Sequence, residues 1–185
     1  VEMETENIRY SGLSYKDGDF YRSWYGATGI TLETILEDLG VLESYTRMGF
    51  QASNMAGPFT LTKEQIEGEQ CYFAGSPENK ISVKPMIALY YSRREGFYLE
   101  PPFIEDPSQI PDGFQVGAGP RLFFGQTEYN DPNRSNFVSD VYYIYVDFLE
   151  DPHYHEKPTI HNVTEDDLYI EVGGTVPVDE VPERY

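Results

Sequence analysis

Two histidines near the end of the chain have the side chains and spacing of a metal site. His153 and His155 are alternate residues, so a β-strand would direct both imidazoles to one face. With His161, or with an oxygen from Asp151 or Glu156, they could bind zinc or another borderline metal. Such a site needs three or four converging ligands, so the alternative interpretation is a solvated loop.

Oxygen ligands are concentrated between Asn130 and Asp140, which makes calcium a second metal to consider. Asp131 is the central candidate in this segment. The spacing of an EF-hand loop is absent, and Asp-Pro and Asn-rich turns explain the composition without a metal. The sequence leaves calcium binding and turn formation as alternatives.

The chain has one cysteine, Cys71, so neither an intrachain disulfide nor a multi-cysteine zinc site can form. Its thiol is either a reactive group or metal ligand, or a small apolar side chain packed beside Tyr72 and Phe73. A Ser-His-Asp order, a Gly-rich phosphate loop and a nucleophile turn are all missing from the sequence, which leaves hydrolase chemistry unsupported.

The charge balance excludes some classes of partner. The 185 residues carry a formal net charge of −19, and Arg93-Arg94 is the only adjacent basic pair. A surface that reads phosphates needs clustered Lys and Arg, so we expect no nucleic-acid binding. No apolar run is long enough to span a bilayer, so we expect no membrane insertion. Together with Arg134, the arginine pair forms either an anion clamp or ordinary surface ion pairs.

The length suits one domain, which we place at residues 8–150, after a frayed N-terminus at 1–7. Residues 151–185 are interpreted as an extension that forms either a further strand or a linker. The sequence also predicts that the strand at 137–148 is central in its sheet, because both of its faces are apolar or aromatic.

Local patterns predict two helices among many strands. ITLETILEDLG has an apolar face, an N-cap at Thr31 and a stop at Gly40. LTKEQI begins with a capping box formed by Thr62 and Gln65. Residues 17–18 are Asp-Gly, which is typical of a hairpin turn. The predicted fold class is α+β, with mixed sheets and a few short helices.

Three segments resemble one known family when they are taken in order: TGITLETILEDLGV (28–41), PMIALYYS (85–92) and GPRLFFGQ…NRSNFVSDVYYIYV (119–146). Each is similar to a segment of the molybdopterin-binding domain of the sulfite-oxidase type. The resemblance covers about residues 24–148 and implies that fold. It also implies a cofactor cleft near Gly125–Arg134, with Gly125, Gln126, Arg134 and Asn136 as cofactor-binding candidates.

The departures from that family concern its chemistry. The family's molybdenum ligand is a cysteine upstream of the segment that leads into the first helix, but no Cys precedes Trp24 here. Asn136 stands where the family tends to have a lysine, so one charge that would neutralise the cofactor's phosphate is missing. A subset of such domains, found in exported or surface proteins of Gram-positive bacteria, lacks the metal ligand, and this chain resembles that subset.

The sequence therefore predicts a non-catalytic binding or structural domain of an exported bacterial protein, extracellular or at the cell surface. No cofactor is expected, and the partner is an unidentified small ligand or protein. One alternative is a molybdenum oxidoreductase that holds molybdopterin without the usual thiolate or with Cys71. Another is an adhesion module that depends on calcium or zinc.

Overall fold

The structure is a computed structural model that describes residues 3–148. Nine β-strands and two short α-helices account for most of this range, and a turn of 3-10 helix lies at Arg134–Asn136. In chain order the elements are β1 (Glu6–Lys16), β2 (Asp19–Thr31), α1 (Leu32–Asp38), β3 (Tyr45–Ala52), β4 (Phe59–Thr62), α2 (Lys63–Glu67), β5 (Cys71–Phe73), β6 (Lys80–Ser82), β7 (Met86–Glu95), β8 (Gln115–Phe123) and β9 (Val141–Phe148).

The strands form three antiparallel sheets in the described residues. The largest has the order β1-β2-β7-β8, the second has the order β4-β3-β9, and β5 pairs with β6. The protein is therefore mainly β, not α+β, and its sheets are antiparallel, not mixed. The physical reason is the length of the helices, since caps at both ends limit α1 to seven residues and α2 to five.

Local signals place both helices. The Thr31 side chain accepts from the N–H of Thr34 at the start of α1, and Gly40 has φ +68° just after its end. Thr62 and Gln65 make both bonds of a capping box at the start of α2. These features confirm the predicted starts of both helices and the predicted stop of the first.

The hairpin between β1 and β2 is also confirmed. Asp17 and Gly18 have φ of 55° and 94°, so the two-residue turn is of type I′. The strands then pair in an unbroken register from Lys16 opposite Asp19 to Glu6 opposite Gly29. Residues 6 and 7, which the sequence assigns to a frayed terminus, belong to β1 because this register extends to them.

Two apolar clusters hold the sheets together. The larger one packs α1 against β3 and β9, with Leu32, Ile35 and Phe50 fully buried. The smaller one is aromatic and lies against the four-stranded sheet, where Phe123 contacts the rings of Tyr10, Tyr25 and Phe137. Large rings dominate the second cluster, which accounts for part of the chain's Tyr and Phe content.

The strand β9 lies at the end of the described three-stranded sheet, with β3 in its centre. Its side chains alternate, since Ile144 and Val146 are buried while Tyr143 and Tyr145 are half-buried. The central position predicted for this strand is therefore not found in residues 3–148. None of the helices in that range is long and apolar enough to cross a membrane.

Candidate functional site

Gln126 lies at the centre of the region that the sequence assigns to a cofactor cleft. Its side chain is fully buried, and both ends of the amide are bonded. The Oε1 atom accepts from Ser11 Oγ at 2.7 Å and from Arg22 Nη1 at 3.3 Å. The Nε2 atom donates to the carbonyl oxygens of Asp131 at 2.6 Å and Tyr129 at 3.2 Å. An amide has two acceptor and two donor positions, so Gln126 has none left for a ligand.

Asn133 makes a second set of bonds beside Gln126 and is 3% exposed. Its Oδ1 atom accepts from the N–H of Leu13 at 3.2 Å. Its Nδ2 atom lies within hydrogen-bond distance of the carbonyl oxygens of Ser11, Phe124 and Gly125. Asn133 therefore joins the outer edge of β1 to the segment after β8. We call Ser11, Arg22, Gln126 and Asn133 the Gln126 cluster.

Gly125 is packed too closely to leave space for a ligand at its Cα. Its N–H donates to Gln70 Oε1 at 2.8 Å. A Cβ at this position would lie 2.6 Å from the backbone nitrogen of Cys71 and 2.8 Å from side-chain atoms of Gln70 and Val83. The glycine is needed here because the antiparallel bridge between Cys71 and Gln126 brings the two backbones together.

Arg134 is engaged in an ion pair. Its Nη1 atom lies 2.6 Å from Glu95 Oε1, and Arg93 Nη2 lies 3.2 Å from the other oxygen of the same carboxylate. The hydrogen bond from Arg134 is the main cause that lowers the pKa of Glu95. Asn136 is exposed at the end of the 3-10 turn. Of the four cofactor-binding candidates, two are thus buried, one is ion-paired and one is exposed.

Cys71 is a buried side chain in β5, with 1% of its surface exposed. Its Sγ atom lies 3.9 Å from Glu69 Oε1, and Lys80 pairs with that carboxylate at 2.6 Å. Burial raises the pKa of the Cys71 thiol despite the nearby lysine. A thiol with a raised pKa and no solvent access is a poor nucleophile and a poor metal ligand.

The proposed calcium ligands form a turn. The Asp131 carboxylate accepts from the N–H and the hydroxyl of Thr127, at 3.3 and 3.1 Å. Asp140 is exposed and has φ 55°. Within residues 3–148, no three His, Cys, Asp or Glu side chains are grouped so that they could hold a metal ion. His153, His155 and His161 lie outside the described residues, so the zinc hypothesis stays a prediction.

The residues present do not fit an anionic metallopterin in this arrangement. The cofactor would need a thiolate for its metal and free donors with positive charge for its phosphate. The thiol is buried, the N–H of Gly125 is bonded to Gln70, and Arg134 shares the Glu95 carboxylate with Arg93. Three of the residues that the resemblance assigns to the cofactor, Gly125, Gln126 and Arg134, instead make contacts within the chain, and Asn136 is exposed.

Sequence reasoning missed Ser11 and Arg22 as partners of Gln126. They come from β1 and β2, and they lie more than 100 residues away from it in the chain. The Arg22 guanidinium also stacks on Tyr129 at 3.7 Å, and burial lowers its pKa. The only available signal was a lone glutamine directly after an apolar run, which does not reveal its partners.

Two neighbouring grooves, each of about 520 Å³, lie on either side of Ser82–Lys84. The first is lined by the start of β1, by residues of β5 and β6, and by Tyr98 and Phe103. The second lies between α1, α2 and the segment that precedes β7. Neither groove contains a residue of the Gln126 cluster.

No family model, curated protein or solved structure matches the chain.

Proposed function

We propose that this chain is a non-catalytic binding or structural domain of an exported bacterial protein, built on a fold of the sulfite-oxidase molybdopterin-binding type. The observation that carries the proposal is the Gln126 cluster, in which buried side chains use one another's hydrogen-bonding groups. A site that binds and transforms an anionic cofactor keeps such groups free for it. This arrangement suits a surface domain that binds no ligand in its interior. The net charge of −19 suits a protein that is exposed to solvent.

The relative placement of the three segments that carry the resemblance supports the fold part of the proposal. The N–H of Leu32, at the start of α1, donates to the carbonyl of Pro85 just before β7. β7 pairs with β8 from Met86 opposite Phe123. The N–H of Leu122 in β8 donates to the carbonyl of Val138, just before β9. The segments thus form one continuous unit, as segments of a single conserved core would.

Elemental analysis tests the non-catalytic role. The full chain is produced in a bacterial host that makes molybdopterin, and both molybdenum and released pterin are quantified in the purified protein. We expect amounts far below one molybdenum per chain, unchanged in Cys71→Ser. Stoichiometric molybdenum in the native chain would refute the proposal, and its loss in Cys71→Ser would identify the thiol as the ligand.

Chelation separates the proposal from a metal-dependent adhesion module. A metal that binds only the folded state raises the melting temperature, and its removal lowers it. We expect the same melting temperature with EDTA, with calcium and with zinc. A calcium-dependent rise that Asp131→Asn abolishes would favour a calcium site, and a zinc-dependent rise that His153→Ala abolishes would favour a zinc site.

A further inference from the structure

The outer edge of β1 has main-chain groups that no described residue uses. In a type I′ hairpin the residues that flank the turn bond to each other, so the even-numbered residues of β1 direct their N–H and C=O towards β2. The odd-numbered residues direct theirs outwards. Asn133 confirms this alternation, because it bonds the outward carbonyl of Ser11 and the outward N–H of Leu13.

The outward groups of Asn7 and Arg9 have no such partner among residues 3–148. Each residue has an N–H and a C=O on this edge, and neither group is bonded to a described side chain or backbone. Alternate residues of a strand are about 7 Å apart, so the outward groups of Asn7 and Arg9 have the same spacing as the matching groups of any extended peptide. The pattern of two donors and two acceptors is therefore complementary to a peptide main chain.

The first of the two grooves lies directly along this edge. Glu6, Asn7, Ile8 and Arg9 line it as four consecutive residues, which indicates that the strand's edge borders it. The floor is the face of the β5-β6 pair, where Tyr72 lies opposite Ile81. Ile81 is 54% exposed, and an added strand would cover it. Alternate apolar side chains of that strand would face this floor.

The charges along the groove favour a basic partner. Arg9 is already committed, since it donates to the Pro101 carbonyl, pairs with Glu100 at 3.3 Å and stacks on Phe103. Lys84 pairs with Glu33. Glu6 forms no ion pair with a described residue and lines the same groove. The net charge of −19 also disfavours a second copy of this chain and favours a cationic segment.

We propose that the edge of β1 at Asn7–Arg9 binds an extended segment of a partner protein by β-strand addition. The segment has alternate apolar side chains towards Tyr72 and Ile81 and a lysine or arginine beside Glu6. The inference goes beyond the non-catalytic role. It is tested separately, because it makes no assumption about molybdenum.

The test uses the full ¹⁵N-labelled chain and a synthetic peptide of sequence KTVTVTK. On titration we expect saturable shifts centred on the backbone amides of Asn7 and Arg9, and slower hydrogen exchange at both. The same peptide methylated on its backbone nitrogens loses its donors and should bind at least about tenfold more weakly. The acidic peptide ETVTVTE should also bind more weakly, because it faces Glu6 and an acidic protein.

Two protein variants locate the site. Asn7→Pro removes an outward N–H without removing a bond of the β1-β2 ladder, and a proline is tolerated on an edge strand. We expect at least about tenfold weaker binding, whereas Asn7→Ser, which keeps the N–H, should bind like the native chain. Ile81→Ser removes an exposed apolar side chain from the floor without changing the charge and should also weaken binding, whereas Ile110→Ser, exposed elsewhere, should not.

Several outcomes would overturn the proposal. Shifts that map away from β1 would rule out this edge, and so would binding by Asn7→Pro and Ile81→Ser that is as tight as binding by the native chain. Amides of Asn7 and Arg9 that resist exchange in the free chain would mean that the edge is already covered. If that protection from exchange increased with protein concentration, the covering segment would be a second copy of the chain. If the protection were lost in a chain that ends at residue 148, the covering segment would be residues 149–185.

Discussion

Gln126→Leu tests whether Gln126, in the region that the family resemblance assigns to a cofactor, stabilises the fold. Leucine has a similar size but no hydrogen-bonding groups, so two donors lose their acceptor: the Ser11 hydroxyl and Arg22 Nη1. The carbonyls of Asp131 and Tyr129 each keep a second bond, from the N–H of Asn133 and from Arg22. The free energy of unfolding should therefore fall far more than for an exposed glutamine.

The magnitude follows from the burial of those groups. An unpaired buried polar group costs about 1–3 kcal/mol, and the partly exposed Arg22 can recruit water, which places it at the low end. Allowing for the apolar gain of leucine, we expect a loss of about 2–3 kcal/mol. In a chain of this size that lowers the melting temperature by about 4–12 °C.

Thermal and urea unfolding followed by circular dichroism measure this loss. Gln115→Leu is the matched control, because Gln115 is exposed and has one side-chain bond, to Arg93. The control should melt within about 2 °C of the native chain. If Gln126→Leu behaved like the control, the cluster would not be a structural centre, and the glutamine would be free to serve a ligand.

Three further predictions concern a thiol, an ion pair and a glycine. Cys71 should react with a disulfide reagent only on unfolding, since burial raises the pKa of its thiol; rapid labelling of the native chain would contradict this. Arg134 lowers the pKa of Glu95, so the pair stabilises the fold above the ordinary carboxyl pKa and is lost as pH falls below it. Hence Glu95→Gln should melt below the native chain at pH 7, with a difference that shrinks on acidification; a constant difference would count against it. Gly29→Ala should cost about 2–3 kcal/mol in urea unfolding, because its Cβ would lie 2.1 Å from a backbone oxygen of β7, whereas Gly57→Ala, with open space, should be neutral.

The parts of the fold that the sequence predicts are local. Thr31 and Thr62 cap helices through residues only three positions away, and Asp17-Gly18 needs only its own backbone angles to form the turn. The sequence predicts both helices at the right positions, but the class α+β gives them more weight than their length allows. Both helices are only one or two turns long.

The candidate site could not be predicted in the same way. Gln126 and Arg134 were identified through a family resemblance, which gives positions but not partners. Their actual partners, Ser11 and Glu95, are 115 and 39 residues away in the sequence. Such pairs form only when the sheets assemble, so no local pattern in the sequence predicts them.

The Gln126 cluster and the open edge of β1 depend on each other. Asn133 takes the outward carbonyl of Ser11 and the outward N–H of Leu13, so it occupies the middle of the edge. Without Asn133, an open edge would extend further along β1, and long open edges promote aggregation. At the start of β1, Asn7 and Arg9 keep both of their outward groups, which is enough to pair with a short peptide. Asn133 therefore belongs both to the Gln126 cluster and to the boundary of the proposed binding edge.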